Sequence, residues 1–228
     1  VLLLGLPGCG KSLTAKSIAK TWKFPLLRFD LGKVFGGIVG QSESNMRKAL
    51  DVATTIAPCV LWIDEIEKGL SGLSSSDRTD GGTASRAFGT LLTWMQEKKE
   101  PVFVVATANN IESLPPELLR KGRFDEIFFV DLPSKEERKE ILNIHITSKK
   151  RNPQNFNLEL LAEKTSGLTG AEIGSIISDA LFTSFSRQSD LTDIDIINER
   201  SKITPLSTVM AEKITSIRSW AKNRARMA

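Results

Sequence analysis

Eight residues near the start of the chain, Gly5-Leu6-Pro7-Gly8-Cys9-Gly10-Lys11-Ser12, have the types and spacing to hold a phosphate chain. Glycines let successive backbone N–H groups turn toward phosphate oxygens that a side chain would obstruct. Lys11 is placed for the β- and γ-phosphates, and the Ser12 hydroxyl is a hard oxygen ligand suited to Mg²⁺. The helix expected to open there points its positive end at the same anion. The chemistry implied is binding of ATP or ADP with Mg²⁺ through Pro7, Gly8, Cys9, Gly10, Lys11, Ser12 and Leu13. A glycine-rich strand–helix turn with no ligand is the plain alternative. Cys9 reads as a small residue the loop tolerates rather than a redox switch.

About fifty residues on, Cys59-Val60-Leu61-Trp62-Ile63-Asp64-Glu65 is an apolar run ending in two carboxylates. Charge at the end of a buried strand costs free energy and calls for a reason. Asp64 holding the Mg²⁺ shell, largely through water, and Glu65 polarising an attacking water would supply one. The run Val102–Ala106 leads into Thr107-Ala108-Asn109-Asn110, where an amide could hold a water near the γ-phosphate or serve only as a turn former. In Leu119-Arg120-Lys121-Gly122-Arg123-Phe124-Asp125 two arginines flank a glycine. Arginine is planar, always charged and bidentate, which suits a transferring phosphoryl group. Taken alone, these two read better as a surface salt-bridge cluster.

These residues need elements to position them. Candidate strands are Val1–Leu4, Leu26–Asp30, Val60–Ile63, Val102–Ala106 and Ile127–Val130. Helical patterns near Ser12–Trp22, Glu43–Ala57 and Ser85–Glu97 lie between them. Apolar runs alternating with helices predict an α/β fold with a mostly parallel sheet covered by helices on both faces. Gly69–Ser85 is rich in Gly, Ser, Thr and Asp and reads as a mobile loop. After Asp131-Leu132-Pro133 the pattern becomes helical, starting at Ser134 with Glu136 and Glu137 in the first turn. Leu158–Thr165, Ala171–Phe185 and Ser207–Ala225 suit further helices. The expected division is an α/β core over residues 1–132 and a helical lobe over 133–228 that ends in a basic helix. No internal repeat is visible.

Of the 228 residues, 40% are hydrophobic, enough for one sizeable core or two lobes. Net charge is +4, which by itself does not argue for nucleic acid. Two cysteines, Cys9 and Cys59, cannot build a disulfide framework or a zinc site. No apolar stretch is long enough to span a bilayer, and no signal peptide is visible. The chain starts at Val1 on an apolar run, with the phosphate loop at residue 5, so it reads as part of a longer protein. Arg218, Lys222, Arg224 and Arg226 cluster near the end as a solvated helix face or a docking site for an acidic partner or nucleic acid. No aromatic pattern among them supports nucleic-acid readout.

Together these residues resemble the AAA ATPase family across essentially the whole chain. Gly5–Ser12 is similar to its Walker A motif and Val60–Glu65 to its Walker B. The resemblance implies a P-loop NTPase core followed by a small all-helical AAA lid. It makes Asn109 a first sensor. Leu114–Asp125 resembles the second region of homology, which makes Arg120 and Arg123 arginine fingers acting on ATP held by a neighbouring subunit. A homo-oligomeric ring, commonly a hexamer, follows. Gly167-Leu168-Thr169-Gly170-Ala171-Glu172-Ile173 matches the lid segment near the adenine, which implicates Gly170 and Ala171. His145 matches a position near the ribose; read alone, it is a packing histidine. Phe35–Ser44, Ala57–Ile66 and the closing Trp220–Arg226 resemble single-AAA-domain proteins of cyanobacterial and algal plastid genomes and their bacterial relatives. A cytoplasmic or stromal location would follow.

The family's energy use implies remodelling of a protein or complex, with a client that the sequence does not name. At the pore triplet of the family this chain has Ile38-Val39-Gly40, with Ile38 at the aromatic position and Phe35 three residues early. A nucleotide-gated regulatory or assembly protein without threading is the alternative.

Overall fold

The computed structural model describes residues 1–35, 42–70, 81–120 and 122–228. They divide into two compact units. The first comprises Val1–Gly5, Lys11–Val130 and Trp220–Ala228, and the second Leu6–Gly10 and Asp131–Ser219.

The first unit runs β1 (Leu2–Gly5), α1 (Lys11–Trp22), β2 (Leu26–Phe29), α2 (Leu31–Phe35), α3 (Ser42–Ile56), β3 (Cys59–Ile63), α4 (Ile66–Leu70), α5 (Gly81–Glu97), β4 (Val102–Ala108), β5 (Ile127–Val130) and β6 (Arg226–Met227). The strands form one parallel sheet in the order β2-β3-β4-β1-β5-β6. Parallel neighbours cannot be joined by tight turns, so helices cross over and cover the sheet. On one face α1 packs Ala15 and Ala19 against Leu3, Val60, Trp62 and Val105. Side chains alternate along a strand, and Leu4, Leu61 and Ile63, facing the other way, are buried too. Burial on both faces explains why these strands read as unbroken apolar runs.

The second unit is helical: α6 (Lys135–Ser148), α7 (Leu158–Lys164), α8 (Gly170–Ser186), α9 (Asp193–Ser201), α10 (Leu206–Val209) and most of α11 (Ala211–Ala221). Its core gathers Leu142, Ile146, Leu161, Leu168, Ile173, Ile176 and Ile177. Reciprocal caps fix the starts of α6, α8 and α9, through Ser134 with Glu137, Thr169 with Glu172, and Thr192 with Asp195.

Several elements differ from the sequence expectation. The loop expected over Gly69–Ser85 is shorter, because α4 runs to Leu70 and α5 starts at Gly81. Residues 71–80 lie outside the described residues. Glycine and hydroxyl residues signal a loop by composition, but the first turn of a helix tolerates them. The helix expected over Ser207–Ala225 divides at Met210 into α10 and α11 and stops at Ala221. Arg226–Met227 then adds a strand beside β5, with Phe128 opposite Arg226. Two exposed residues that pair through their backbone leave no hydrophobic period to read.

The basic tail also has acidic partners in its own chain. Arg218 holds Asp131 through Nε and Nη2 at 2.8–3.2 Å, and Arg226 meets Glu126 at 2.9 Å. Arg224 lies 5.7 Å from the Trp220 ring centre. No helix among the described residues is long and apolar enough to cross a membrane. Ile38, Val39 and Gly40 fall outside the described residues.

Candidate nucleotide site

In a parallel sheet every strand delivers its last residues to one edge. Here the ends of β1, β2, β3 and β4 bring Lys11, Ser12, Arg28, Asp64, Glu65, Thr107 and Asn109 to that edge of the first unit. Lys11, the first residue of α1, is buried, and its Nζ donates to the Gly5 carbonyl at 2.8 Å. Ser12 Oγ donates to Asp64 Oδ1 at 3.1 Å. Thr107 Oγ1 donates to the same oxygen at 2.8 Å. Arg28 Nη2 meets Asp64 Oδ2 at 3.2 Å. Asp64 is thus aimed by a donor on each side, and a hydroxyl stands beside its carboxylate.

Glu65 follows with φ of +48°, a conformation that side-chain-bearing residues rarely adopt. The surrounding bonds hold it there. Its N–H donates to Thr107 Oγ1 at 3.0 Å, and its carbonyl accepts from the Lys68 N–H at 2.8 Å. Such strain is retained where the surroundings over-determine it, which is common at functional sites. Glu65 Oε1 accepts from Asn109 Nδ2 at 3.1 Å, and Oε2 pairs with Lys68 Nζ at 2.5 Å. Asn109 stands just past β4, where its own N–H donates to Glu67 Oε1 at 2.9 Å. The structure therefore joins Ser12 to Asp64 and Glu65 to Asn109.

Sequence reasoning missed Thr107, Arg28 and Glu67. Thr107 left a faint signal, since it lies two residues before Asn109 and so shares its side of an extended strand. It is 1% exposed and serves two partners. Thr107→Val should cost about 1–3 kcal/mol of stability, the usual penalty for leaving buried polar groups unpaired. A denaturant melt reads this directly. An unchanged midpoint would mean that the hydroxyl does not brace the two carboxylates.

In the second unit, the loop Leu6–Gly10 turns with positive φ at Gly8 (+83°) and Gly10 (+95°). The Gly8 carbonyl accepts from the Ala171 N–H at 3.1 Å, and the Cys9 N–H donates to Leu6 O at 3.4 Å. A Cβ on Gly8 would stand 2.9 Å from Thr169 Oγ1 and 3.0 Å from the Ala171 Cβ. Only glycine fits this approach, and Gly170 and Ala171 stand beside the loop as a result.

His145 packs so closely on Gly174 that a Cβ there would lie 2.5 Å from its ring. Burial lowers the imidazole pKa below its usual value. The Lys149 charge adds to this, and a hydrogen bond with the Gly170 backbone opposes it. His145 is therefore neutral at pH 7 and close to Gly170. Pro7 is exposed, and Leu13, at 65% exposure, points to solvent.

The arginines lie in the connection from β4 to β5. Arg120 is exposed and ends a short 3-10 turn, Pro116–Leu119. Arg123 precedes β5 and so approaches the sheet from its opposite edge, where Leu2 N–H donates to Glu126 O at 2.9 Å. Nε and Nη1 of Arg123 are buried and find no hydrogen-bond partner among the described residues.

Comparison with known proteins agrees with this layout. The family described as ATPase family associated with various cellular activities (AAA) matches residues 1–132. The AAA+ lid domain matches residues 155–199. The chain is 48% identical over 224 residues to the uncharacterized AAA domain-containing protein ycf46 of Guillardia theta, covering 97% of this chain and 44% of the relative. The corresponding protein of Pyropia yezoensis is 49% identical over 230 residues, covering all of this chain and 46% of the relative. That of Trieres chinensis is 47% identical with the same coverage. The chain thus spans less than half the length of these relatives. The sheet order, the strand-end carboxylates and the helical unit lead to one conclusion with these matches: the chain belongs to the AAA family of ATPases.

Proposed function

We propose that this chain binds ATP with Mg²⁺ and hydrolyses it at a site completed by a second copy, within a homo-oligomeric ring. The pairing of Glu65 with Asn109 beside the Ser12–Asp64 contact carries this reading. A carboxylate for proton transfer and a hydroxyl–carboxylate pair for a hard cation meet at the loaded edge of the sheet.

The residues fit the group they would hold. The glycine turn at Gly8 leaves room only for bare backbone, and Mg²⁺ favours one or two carboxylates or hydroxyls together with phosphate and water. Bound Mg²⁺ would neutralise charge developing on the phosphoryl oxygens. Gly8, Cys9 and Gly10 present backbone N–H groups to the phosphates, with Pro7 and Leu13 flanking. Lys11 reaches the β- and γ-phosphates. Ser12 and Asp64 hold the cation, largely through water. Glu65 accepts the proton of the attacking water and Asn109 orients it. Gly170 and Ala171 lie along the base, and the neutral His145 near the ribose.

Arg120 and Arg123 act on the nucleotide of the next copy. The approach of Arg123 from the far edge of the sheet supports this, since it cannot then reach the cluster of its own chain. A ring of six is the proposed assembly, working on a protein or protein complex. Ile38 at the pore position favours, on sequence, a nucleotide-gated partner over polypeptide threading.

The ATPase rate per subunit, followed against protein concentration, tests the shared site. It should climb as oligomers form and then level off. A rate that stays flat from the most dilute sample upward, with no oligomer forming, would overturn the shared site.

A further inference from the structure

Glu67 is an acidic residue beside the strand-end cluster that carries no role in this chemistry. It lies on α4, two residues after Glu65, and is 8% exposed. Its Oε1 accepts the backbone N–H of Asn109 at 2.9 Å. Its Oε2 is buried and finds no hydrogen-bond partner among the described residues. Burying a carboxylate so incompletely satisfied is costly, and a lone N–H would be answered more cheaply by an uncharged acceptor. A charged acceptor makes a shorter and stronger bond, so the acid fixes its partner more firmly than an amide or hydroxyl would.

That partner matters because of where it sits. β4 ends at Ala108, so Asn109 is the first residue whose backbone lies outside the strand. Glu67 fixes the point at which Asn109 leaves the sheet. From there Asn109 Nδ2 reaches Glu65 Oε1 at 3.1 Å. The turn from Glu65 into α4 closes the figure, with Lys68 N–H donating to Glu65 O at 2.8 Å. Glu65 and Asn109 are thereby joined twice, once directly through their side chains and once through Glu67 and the backbone.

We propose that Glu67 is a positioning residue that sets the Asn109 amide against Glu65, so that its loss slows the chemical step without weakening nucleotide binding. This rests on the hydrolytic reading above. It adds that the acid after the strand-end pair acts through the Asn109 backbone. A displacement of about 1 Å at a reacting group costs on the order of a hundredfold in rate.

The test compares Glu67→Ala and Glu67→Gln in the full-length chain. Glu67→Ala should lower kcat by roughly a hundredfold, with the Kd of a fluorescent ATP analogue and the melting temperature little changed. Glu67→Gln keeps an acceptor oxygen for the Asn109 N–H, weaker than the carboxylate, and should recover part of that loss. Amide hydrogen exchange gives a readout independent of turnover. The Asn109 N–H should be protected in the unaltered chain and in Glu67→Gln, and at least about tenfold less so in Glu67→Ala, the loss of one net hydrogen bond. An alanine variant with unchanged kcat, or a glutamine variant as slow as alanine despite a protected amide, would overturn the proposal. So would an alanine variant that loses nucleotide affinity in step with rate. A chain that turns over no ATP would refute the hydrolytic reading. The exchange pattern would then still decide whether Glu67 holds Asn109.

Discussion

Replacing Arg123 with alanine should lower ATP turnover by about 10³–10⁵-fold while leaving nucleotide binding to each subunit intact. That range is the contribution of an arginine supplied to a phosphoryl group by a neighbouring molecule. The fold makes the effect specific. Glu65 and Asn109 leave the sheet at the ends of β3 and β4, whereas Arg123 enters β5 from the other edge. An arginine that enters from that edge is expected to serve a neighbour's nucleotide rather than the carboxylates of its own chain. Its buried Nε and Nη1 make no hydrogen bond among the described residues. Arg120→Ala should act in the same direction.

Mixing is the sharpest check on Arg123. Subunits carrying Arg123→Ala retain Glu65, and subunits carrying Glu65→Gln retain Arg123. Mixed in one assembly, they should regain turnover that neither shows alone. If Arg123→Ala keeps its full rate, or mixtures stay as inactive as their parts, the arginine does not complete a neighbour's site.

Much of the strand-end cluster was legible in the sequence because it lies where backbone geometry is dictated by residue type. The glycines of the loop, the lysine after them and the acids ending an apolar strand have few alternative explanations at that spacing. β1 to β5 were legible for a related reason: burial on both faces leaves an apolar run. What failed to register were contacts made across the sheet. Thr107 braces Asp64 and Glu65 from the neighbouring strand, and Glu67 reaches Asn109 across 42 positions. Neither separation has a period that a sequence displays. β6 escaped notice because it is held by backbone bonds to β5. The tail's positive charge looked unopposed along the chain because Asp131 and Glu126, its partners, lie far away in sequence.

Glu65→Gln carries the second large effect. The substitution keeps size and one acceptor oxygen, enough for Asn109 or for Lys68 where each now uses its own, but a neutral amide cannot take a proton from water. General-base contributions of this kind are worth about 10²–10⁴ in rate. Turnover should fall by that factor with ATP affinity preserved. The variant should then hold ATP and retain whatever partner the ATP state binds, which makes it the form to use for capturing a client. A Glu65→Gln chain that turns over ATP at the original rate would remove Glu65 from the chemistry. One that no longer binds ATP would make it a binding residue instead.

The proposed activity is hydrolysis of ATP. It is tested most directly by following bound ATP and released phosphate in one sample of the unaltered chain, at concentrations where it assembles. Phosphate should be released from each bound ATP, and release should stop when a chelator removes Mg²⁺. ATP that remains intact on the assembled protein, or that fails to bind at all, would contradict it.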